Sequence, residues 1–276
     1  NRVFDNASVG IWATNQSKVL RNTAYSNSVG IHAAHVNAIG TTFKFTGEIA
    51  DNLVYANTNQ GILVTAGQSG AEIVNNTVFQ AIGDALRLQD GSADVYLANN
   101  ILWVDSGHDL FVADDSQVGL VSERNLFHTG EAAGAYVGSW GGVSQSSLSD
   151  WQGVSGQDAS SYEGDPLFID WDGADNVLGW NPTGDGYDGG LDDNFIVNKN
   201  SPAIDRGQSS TAFATFCATS VFGNALSVTT TLALVLRRMR WASISKSPSP
   251  ETKTTVSLTS AKSMASKAMP TSQSPL

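Results

Sequence analysis

Five side chains of the sequence could together recognise an extended sugar. They recur at one position of a repeated segment and combine aromatic rings, an aliphatic chain, an imidazole and a guanidinium. Aromatic rings stack on the apolar faces of sugars, because a flat ring offers a large contact area at a small loss of conformational entropy. We therefore predict that a polysaccharide or cell-surface glycan binds to the row Trp12, His32, Leu63, Arg87 and Phe111.

Two members of this row, His32 and Arg87, also have the functional groups that a polysaccharide lyase needs. In β-elimination on a uronate, a cation neutralises the carboxylate while a base abstracts the C5 proton. The first 205 residues contain only 7 basic residues, which is few for an enzyme that acts on acidic glycans. The sequence thus favours a binding module without catalysis. A lyase or epimerase-like enzyme and a structural surface spacer are the alternatives.

A second set of candidate residues is a run of aspartates near the end of the acidic part of the chain. Aspartates that alternate with other residues around a Gly turn can bring three oxygen ligands to one hard cation, as in calcium loops. The spacing does not fit an EF-hand, which needs a Glu at position 12, and solvated turn aspartates are the alternative. We predict a Ca²⁺ site formed by Asp170, Asp172, Asp175, Asp185 and Asp188.

The elements that position the first row are repeats with a period of 21 to 30 residues. Each copy opens with an Asn, has an apolar residue two places on, and has an apolar pair split by one position about ten places on. Self-similarity at this period with two-residue alternation is typical of a solenoid of short parallel strands, in which each unit buries its apolar face against its neighbours. The copies begin at Asn1, Asn22, Asn52, Asn76, Asn100 and Asn125.

The rows of the repeat predict which side chains are buried. Stacked apolar rows form the core, and the opening asparagines form a ladder in which the amides satisfy one another. Gly10, Gly30 and Gly61 precede the second apolar row, where we expect a sharp bend with positive φ. The predicted core rows contain Val54, Val78, Leu102, Ile62, Leu86 and Leu110.

A row of aromatic residues stands three places after the opening asparagines. The alternation of side chains along a strand places this row on the outer face. Five aromatic rings in register are nevertheless too regular for a face open to solvent. We predict that a loop or a corner covers this row, and a second binding strip is the alternative. The row is Phe4, Tyr25, Tyr55, Phe79 and Trp103.

The rhythm Asn-aliphatic-aromatic-x-Asn, followed by Gly-Ile, resembles the right-handed parallel β-helix repeat of secreted carbohydrate-active and surface proteins. The resemblance covers residues 1–130 and implies an all-β, right-handed parallel β-helix in a secreted or cell-surface protein. Binding modules, lyases, epimerases and hydrolases share this fold, so the resemblance does not select a function. Of the polygalacturonase pattern only Gly107-His108 and the adjacent Asp114-Asp115 are present, and the catalytic residues of that family cannot be carried over.

Residues 131–207 have no repeat signature. They begin as a Gly/Ser-rich stretch that predicts an irregular coil. The motifs Gly-Asp-Pro-Leu-Phe-Ile-Asp at 164–170 and Ser-Pro-Ala-Ile-Asp-Arg-Gly at 201–207 then resemble the closing segment that follows the β-helix in bacterial surface proteins of planctomycete type. We predict a loop-rich, acidic cap that covers the last open rung of the solenoid.

The charge of the chain changes sign after this segment. Residues 1–205 contain 25 acidic and 7 basic residues, whereas residues 206–276 contain 1 acidic and 8 basic. An acidic body argues against a nucleic-acid partner. The Ser/Thr-rich residues 208–276 predict a disordered or out-of-frame tail. The uncharged run from Gly207 to Leu236 is too diluted by Ser and Thr to predict a membrane anchor. The chain opens within a repeat, so we expect coils upstream of Asn1.

Overall fold

Parallel strands stacked in three sheets account for most of the structure, which is a computed structural model describing residues 1–33, 44–67, 70–183 and 186–207. Successive strands of one coil belong to different sheets, and equivalent strands of successive coils pair in parallel. This is a β-solenoid of about five turns, which confirms the predicted all-β parallel β-helix. The residues predicted to be the tail, 208–276, lie outside the described residues.

Sheet A follows the opening Asn of each repeat and carries the aromatic row. It consists of β1 (Arg2–Phe4), β4 (Thr23–Tyr25), β7 (Leu53–Tyr55), β10 (Thr77–Gln80), β13 (Ile101–Val104), β16 (Leu126–Thr129) and β19 (Tyr162–Glu163).

Sheet B carries the split apolar pair and the predicted sugar-binding row. It consists of β2 (Val9–Ala13), β5 (Val29–Ala33), β8 (Gln60–Thr65), β11 (Asp84–Gln89), β14 (Gly107–Val112), β17 (Ala135–Trp140) and, antiparallel at its edge, β18 (Val143–Gln145).

Sheet C closes each coil. It consists of β3 (Lys18–Leu20), β6 (Glu48–Ala50), β9 (Glu72–Val74), β12 (Tyr96–Ala98) and β15 (Val121–Glu123).

The remaining elements follow or interrupt the coils. They are a 3-10 helix (Asp114–Ser116), helix α1 (Leu148–Ser155), the antiparallel pair β20 (Phe168–Asp170) and β23 (Asn194–Val197), the antiparallel pair β21 (Trp180–Asn181) and β22 (Tyr187–Asp188), and a 3-10 helix (Gly189–Leu191).

The core is the stack of apolar rows that the repeat predicts. Alternation places every second side chain of a strand inside the coil, and equivalent residues of successive coils then lie one above another. The side chains of Leu86 and its neighbours in both predicted rows are at most 1 % exposed. This confirms the predicted burial of Val54, Val78, Leu102, Ile62, Leu86 and Leu110.

The opening asparagines form a ladder along the corner between sheets C and A. Asn76 Nδ2 donates to Asn100 Oδ1 at 3.0 Å, and Asn76 Oδ1 accepts from Asn52 Nδ2 at 2.9 Å and from Asn52 N at 3.1 Å. The side-chain amide of Asn76 thus accepts hydrogen bonds from the asparagine of the preceding coil and donates one to the asparagine of the following coil. These bonds offset the cost of burying a polar group. The ladder of Asn52, Asn76 and Asn100 is confirmed.

Helix α1 covers the last coil. Its Trp151 is fully buried, packs edge-on against Trp140 and donates from Nε1 to Asp158 Oδ2 at 2.9 Å. The ring occupies space over Gly138, where a Cβ would lie 2.5 Å from the nearest ring atom. Asp158 Oδ1 accepts from Asn125 Nδ2 at 3.0 Å, so the same carboxylate also ends the asparagine ladder.

The acidic closing segment was predicted to cover the last open rung, but its contacts are with the outer face of sheet A. It begins on the last coil, runs along the aromatic row to the first coil, and returns. Trp180 lies 5.5 Å from Phe4 between ring centroids, and Phe195 lies 4.8 Å from Tyr55. The segment lies on sheet A because the row of aromatic rings offers much more apolar area than the end of the stack, which α1 already covers.

The glycines before the second apolar row are required for a different reason from the predicted positive φ. None of Gly10, Gly30 and Gly61 is among the residues with positive φ. A Cβ added at Gly61 would instead lie 2.4 Å from Val78 Cγ1, and one at Gly30 would lie 2.5 Å from Val54 Cγ1. These positions need Gly because two successive residues point toward the interior there, and only the second has room for a side chain.

Candidate functional site

The five predicted sugar-binding residues form one continuous row on the outer face of sheet B. The strand registers pair Trp12 with His32, His32 with Leu63, Leu63 with Arg87, and Arg87 with Phe111. Neighbouring members are therefore separated by the strand spacing of about 4.8 Å. The sequence predicted the geometry of this row, and its sugar-binding role stays a prediction.

The first half of the row is aromatic and open. The Trp12 side chain is 51 % exposed, and its ring centroid lies 4.5 Å from that of His32 with an angle of 33° between the rings. His32 Nε2 is 3.1 Å from Thr65 Oγ1. Burial lowers the pKa of His32 below its ordinary value, so its imidazole is neutral at neutral pH and presents an aromatic surface beside Trp12.

The second half of the row is a guanidinium held flat on a ring. The guanidinium carbon of Arg87 lies 3.6 Å from the centroid of Phe111. Its Nη1 donates to Asp84 Oδ2 and its Nε to Gln89 Oε1, both at 2.6 Å. Arg87 and Phe111 line an open depression of about 390 Å³, together with Gln89, Asp90, Ala113, Asp114 and Asp115. The charge of Arg87 is thus already paired, and the depression is acidic.

Two residues that the sequence analysis did not select complete this part of the face. Asp84 Oδ1 accepts from His108 Nδ1 at 2.8 Å and from the His108 backbone N–H at 3.0 Å. Although burial by itself raises the pKa of Asp84, the hydrogen bonds from His108 and Arg87 outweigh it and hold this pKa below its ordinary value. Asp84 and His108 occupy the same place in consecutive repeats, so alignment of Gly83-Asp84 with Gly107-His108 could have found the pair.

The aromatic row of sheet A is covered. Tyr25, Tyr55 and Phe79 are at most 1 % exposed and pack against the closing segment. This agrees with the predicted covering loop and leaves these three rings no open face for a ligand.

A depression of about 410 Å³ lies where the closing segment stops covering the row, lined in part by Trp103, Phe168 and Trp171. The centroid of Trp103 lies 6.0 Å from that of Phe168, in a stacked pair, and 6.0 Å from that of Trp171, in an edge-on pair.

The predicted calcium ligands do not converge in the described part of the chain, where no group of three or more His, Cys, Asp or Glu side chains could hold a metal ion. Asp188 pairs with Arg2 at 3.2 Å and accepts from the Tyr25 hydroxyl at 2.6 Å. Asp175 accepts from Val177 N and from the Tyr187 hydroxyl. These two carboxylates thus bond to groups of the protein, and the described residues give the calcium prediction at Asp170, Asp172, Asp175 and Asp188 no support. Asp185 lies outside the described residues.

The described residues also lack the soft ligands that select transition metals such as copper. They contain three histidines, at 32, 108 and 128, and neither Cys nor Met. His108 is bonded through both ring nitrogens, and His128 lies beside Trp103 at 5.0 Å between ring centroids. The fourth histidine and all sulfur-containing side chains lie outside the described residues, at His35, Cys217, Met239, Met264 and Met269.

Within the described ranges, no helix is long and apolar enough to cross a membrane. Apart from Gly207, the uncharged run considered above as an anchor lies outside those ranges.

In a comparison with known protein families, residues 1–140 match a family model described as NosD, periplasmic copper-binding protein. The matched region contains all the coils that carry the outer row of sheet B. Searches of the curated proteins and of the solved structures found no match.

Proposed function

Since the chain belongs to the NosD family of periplasmic copper-binding proteins, a family of right-handed β-helix repeats, we propose that it is an exported β-helix module that binds a polysaccharide. The binding surface is the outer face of sheet B along Trp12, His32, Leu63, Arg87 and Phe111. The observation that supports this most is the half-exposed ring of Trp12 at the start of a flat row.

The contrast between the two outer aromatic rows supports this choice of face. On sheet A the rings are buried by the closing segment, whereas on sheet B no described segment covers Trp12. An exposed apolar ring indicates an interaction site where other rings and flat groups lie next to it and form one patch. Here the tilted Trp12–His32 pair and the stacked Arg87–Phe111 pair extend one surface over five strands. A rigid row of this length suits an extended sugar chain better than a compact molecule.

The charges around the row favour a neutral polysaccharide. Arg87 is paired with Asp84, and the depression beside it contains three further aspartates, Asp90, Asp114 and Asp115. A uronate would have to share Arg87 with Asp84 and approach these carboxylates, and both cost free energy. Hydroxyl groups of a neutral sugar can instead donate to the carboxylates while the rings stack on its apolar face.

The same observations weigh against the lyase and epimerase alternative. Such a mechanism needs Arg87 to neutralise the carboxylate of the substrate, and this guanidinium already serves Asp84 and Gln89. His32 is one of the two catalytic candidates, and its partners are Trp12 and Thr65. No contact in the described structure joins His32 to Arg87.

Copper binding, which the family description names, has no support among the described residues. Copper favours imidazole and sulfur ligands, and the described residues offer three separated histidines and no sulfur. The described solenoid therefore does not fit a copper site, and the sulfur-containing residues lie in the part of the chain outside it.

The test is a binding measurement on the row. Trp12→Ala should weaken binding of a neutral glycan by about 1 kcal/mol, or about fivefold in Kd, because the sugar loses a stacking surface. Val118→Ala is the matched control, since Val118 is an exposed apolar residue outside the row. Calorimetric titration of both variants with neutral glucans, alginate, pectin and chondroitin measures the effect.

Three outcomes separate the alternatives. Binding that Trp12→Ala weakens and Val118→Ala does not supports the proposal. An unsaturated product absorbing in the ultraviolet from alginate, pectin or chondroitin would establish a lyase and return His32 and Arg87 to catalytic roles. If no glycan binds, the binding module is refuted and the structural spacer is the surviving interpretation.

A further inference from the structure

Three side chains at the edge of sheet B form a line from a buried carboxylate to an exposed hydroxyl. His108 Nδ1 is 2.8 Å from Asp84 Oδ1, and His108 Nε2 is 2.9 Å from Ser144 Oγ. They come from three strands, β11, β14 and β18, so only the folded stack brings them together. We propose that Ser144, His108 and Asp84 form a hydrolytic site that cleaves O-acyl esters, with Ser144 as the nucleophile.

The bonds fix the tautomer of His108. An ionised carboxylate can only accept hydrogen bonds, so His108 Nδ1 carries the proton and donates to Asp84. The lone pair of a neutral imidazole is then on Nε2, where it accepts from the Ser144 hydroxyl. This is the arrangement in which an imidazole can remove the proton of a serine during its attack on a carbonyl carbon. The low pKa of Asp84 described above keeps its carboxylate ionised at neutral pH.

Two aromatic rings hold the His108 imidazole in the orientation that its hydrogen bonds to Asp84 and Ser144 require. The Tyr136 ring stacks on His108 at 5.4 Å and 22°, and the Phe111 ring meets it edge-on at 5.5 Å and 70°. Asp84 is 6 % exposed and binds both the ring and the backbone of His108. Asp84 and Tyr136 therefore act as positioning residues, because they fix the base without touching a substrate.

The hairpin between β17 and β18 presents the nucleophile. Gly141 and Gly142 have φ values of 60° and 78°, which residues with a Cβ rarely adopt. They turn the chain so that β18 pairs antiparallel with β17, with Ser144 opposite Ser139. Ser144 is exposed, so an ester group on a large molecule can reach its hydroxyl.

The proposed reaction proceeds in two steps that balance. Ser144 Oγ attacks the ester carbonyl carbon and passes its proton to His108 Nε2. The bond from this carbon to the alcohol oxygen breaks, and the alcohol leaves with that proton. Water then attacks the acyl-serine and gives a proton to His108, and Ser144 recovers that proton as the carboxylic acid is released. Ester and water become alcohol and acid without any further reactant.

The location of the site indicates the class of ester. Phe111 is both an edge contact of His108 and the last member of the sugar-binding row. A glycan lying along the row would bring its substituents to Ser144, so the substrate is an O-acetylated polysaccharide. This assignment of the carrier rests on the proposed function, whereas ester hydrolysis by Ser144 does not.

The first experiment uses two probes that contain no sugar. Purified protein should hydrolyse p-nitrophenyl acetate and should be labelled at Ser144 by a fluorophosphonate, as located by peptide mass spectrometry. Ser144→Ala should abolish labelling and lower hydrolysis at least about 100-fold, because the variant lacks the nucleophile. Ser146→Ala, a neighbouring exposed serine that bonds to Asp150, should behave as the parent protein. Absence of labelling at Ser144, or equal hydrolysis by Ser144→Ala, would overturn the proposal.

The second experiment tests the positioning role of Asp84. His108 faces Asp84, which is backed by Arg87 on β11, and Tyr136 on β17. Asp84→Asn removes a negative charge from His108 and lets its ring adopt the other tautomer. We expect kcat/KM for p-nitrophenyl acetate to fall about 1000-fold or more and its pH inflection to move to lower pH. A fall without this movement, in a variant that folds, would show a structural role and contradict the assignment.

The two proposals fail separately. Loss of hydrolysis and labelling with intact glycan binding would remove the ester site alone. Labelled Ser144 in a protein that binds no glycan would refute the sugar-binding row and keep the hydrolytic site. Release of acetate from an acetylated glucan, absent with Ser144→Ala, would support both.

Discussion

Replacement of Leu86 by Asp should prevent the solenoid from folding. Leu86 lies in the middle of the core row, is 0 % exposed, and has strand neighbours Ile62 and Leu110 that are equally buried. The substitution removes a buried leucine, worth about 2–5 kcal/mol, and adds a carboxylate without a partner. The combined loss is comparable with the whole stability of a typical domain, about 5–15 kcal/mol.

The measurement is circular dichroism with size-exclusion chromatography, and the matched control is Ile82→Asp. Ile82 is 66 % exposed in the turn before the same strand, so the same charge there should change the melting temperature little. A Leu86→Asp protein that elutes as the parent does and melts cooperatively would refute the assignment of the core row.

Replacement of Asp109 by Asn should stabilise the protein at neutral pH. Asp109 is 0 % exposed beside Leu110, and neither of its carboxylate oxygens has a hydrogen-bond partner among the described residues. Burial raises its pKa well above the ordinary value, and the nearby backbone of His128 and Val104 offsets only part of this. An amide of the same shape carries no charge, so we expect a gain of about 1–3 kcal/mol.

The sign of the pH dependence follows from this raised pKa. The folded state binds the proton of Asp109 more tightly than the unfolded state, so stability falls as pH rises from about 4 through the raised pKa. Asp109→Asn removes this loss, and its advantage should be present at neutral pH and vanish below about pH 4.

Thermal melts of the parent and the variant from pH 4 to pH 8 measure this difference. Asp170→Asn, the same change at an exposed position, should show no such trend. An Asp109→Asn advantage that is constant across this range, or absent at pH 7, would contradict an uncompensated buried carboxylate.

The repeat made the coils predictable, because each copy gives the same answer about which side chain points inward. Asn76 could be placed in a ladder from its spacing alone, and Leu86 in a core row. The glycines were different, since the need for Gly61 depends on the distance to Val78 in the next coil. Such a distance is a property of the stack and leaves no local pattern.

The candidate sites were predictable to the extent that they lie within the repeat. The outer row from Trp12 to Phe111 follows from the strand register. The same register predicts the contact between Asp84 and His108. Ser144 could not be found in this way, because it lies on a hairpin after the last regular strand of sheet B. The aspartates of the closing segment were assigned to a metal because their partners, such as Tyr25 for Asp188, are distant in sequence.

The closing segment also determines how the solenoid comes apart. A stack whose coils touch only their neighbours loses its terminal coils first, as independent fraying units. Here Asp188 bonds to Arg2, 186 residues away, and Phe195 lies against the middle of the row. Detaching the first described coil therefore also breaks its contacts with a segment that is anchored on the last coil. We therefore expect the coils to unfold more cooperatively than those of an open stack, and the long sequence separation of these contacts should slow their assembly.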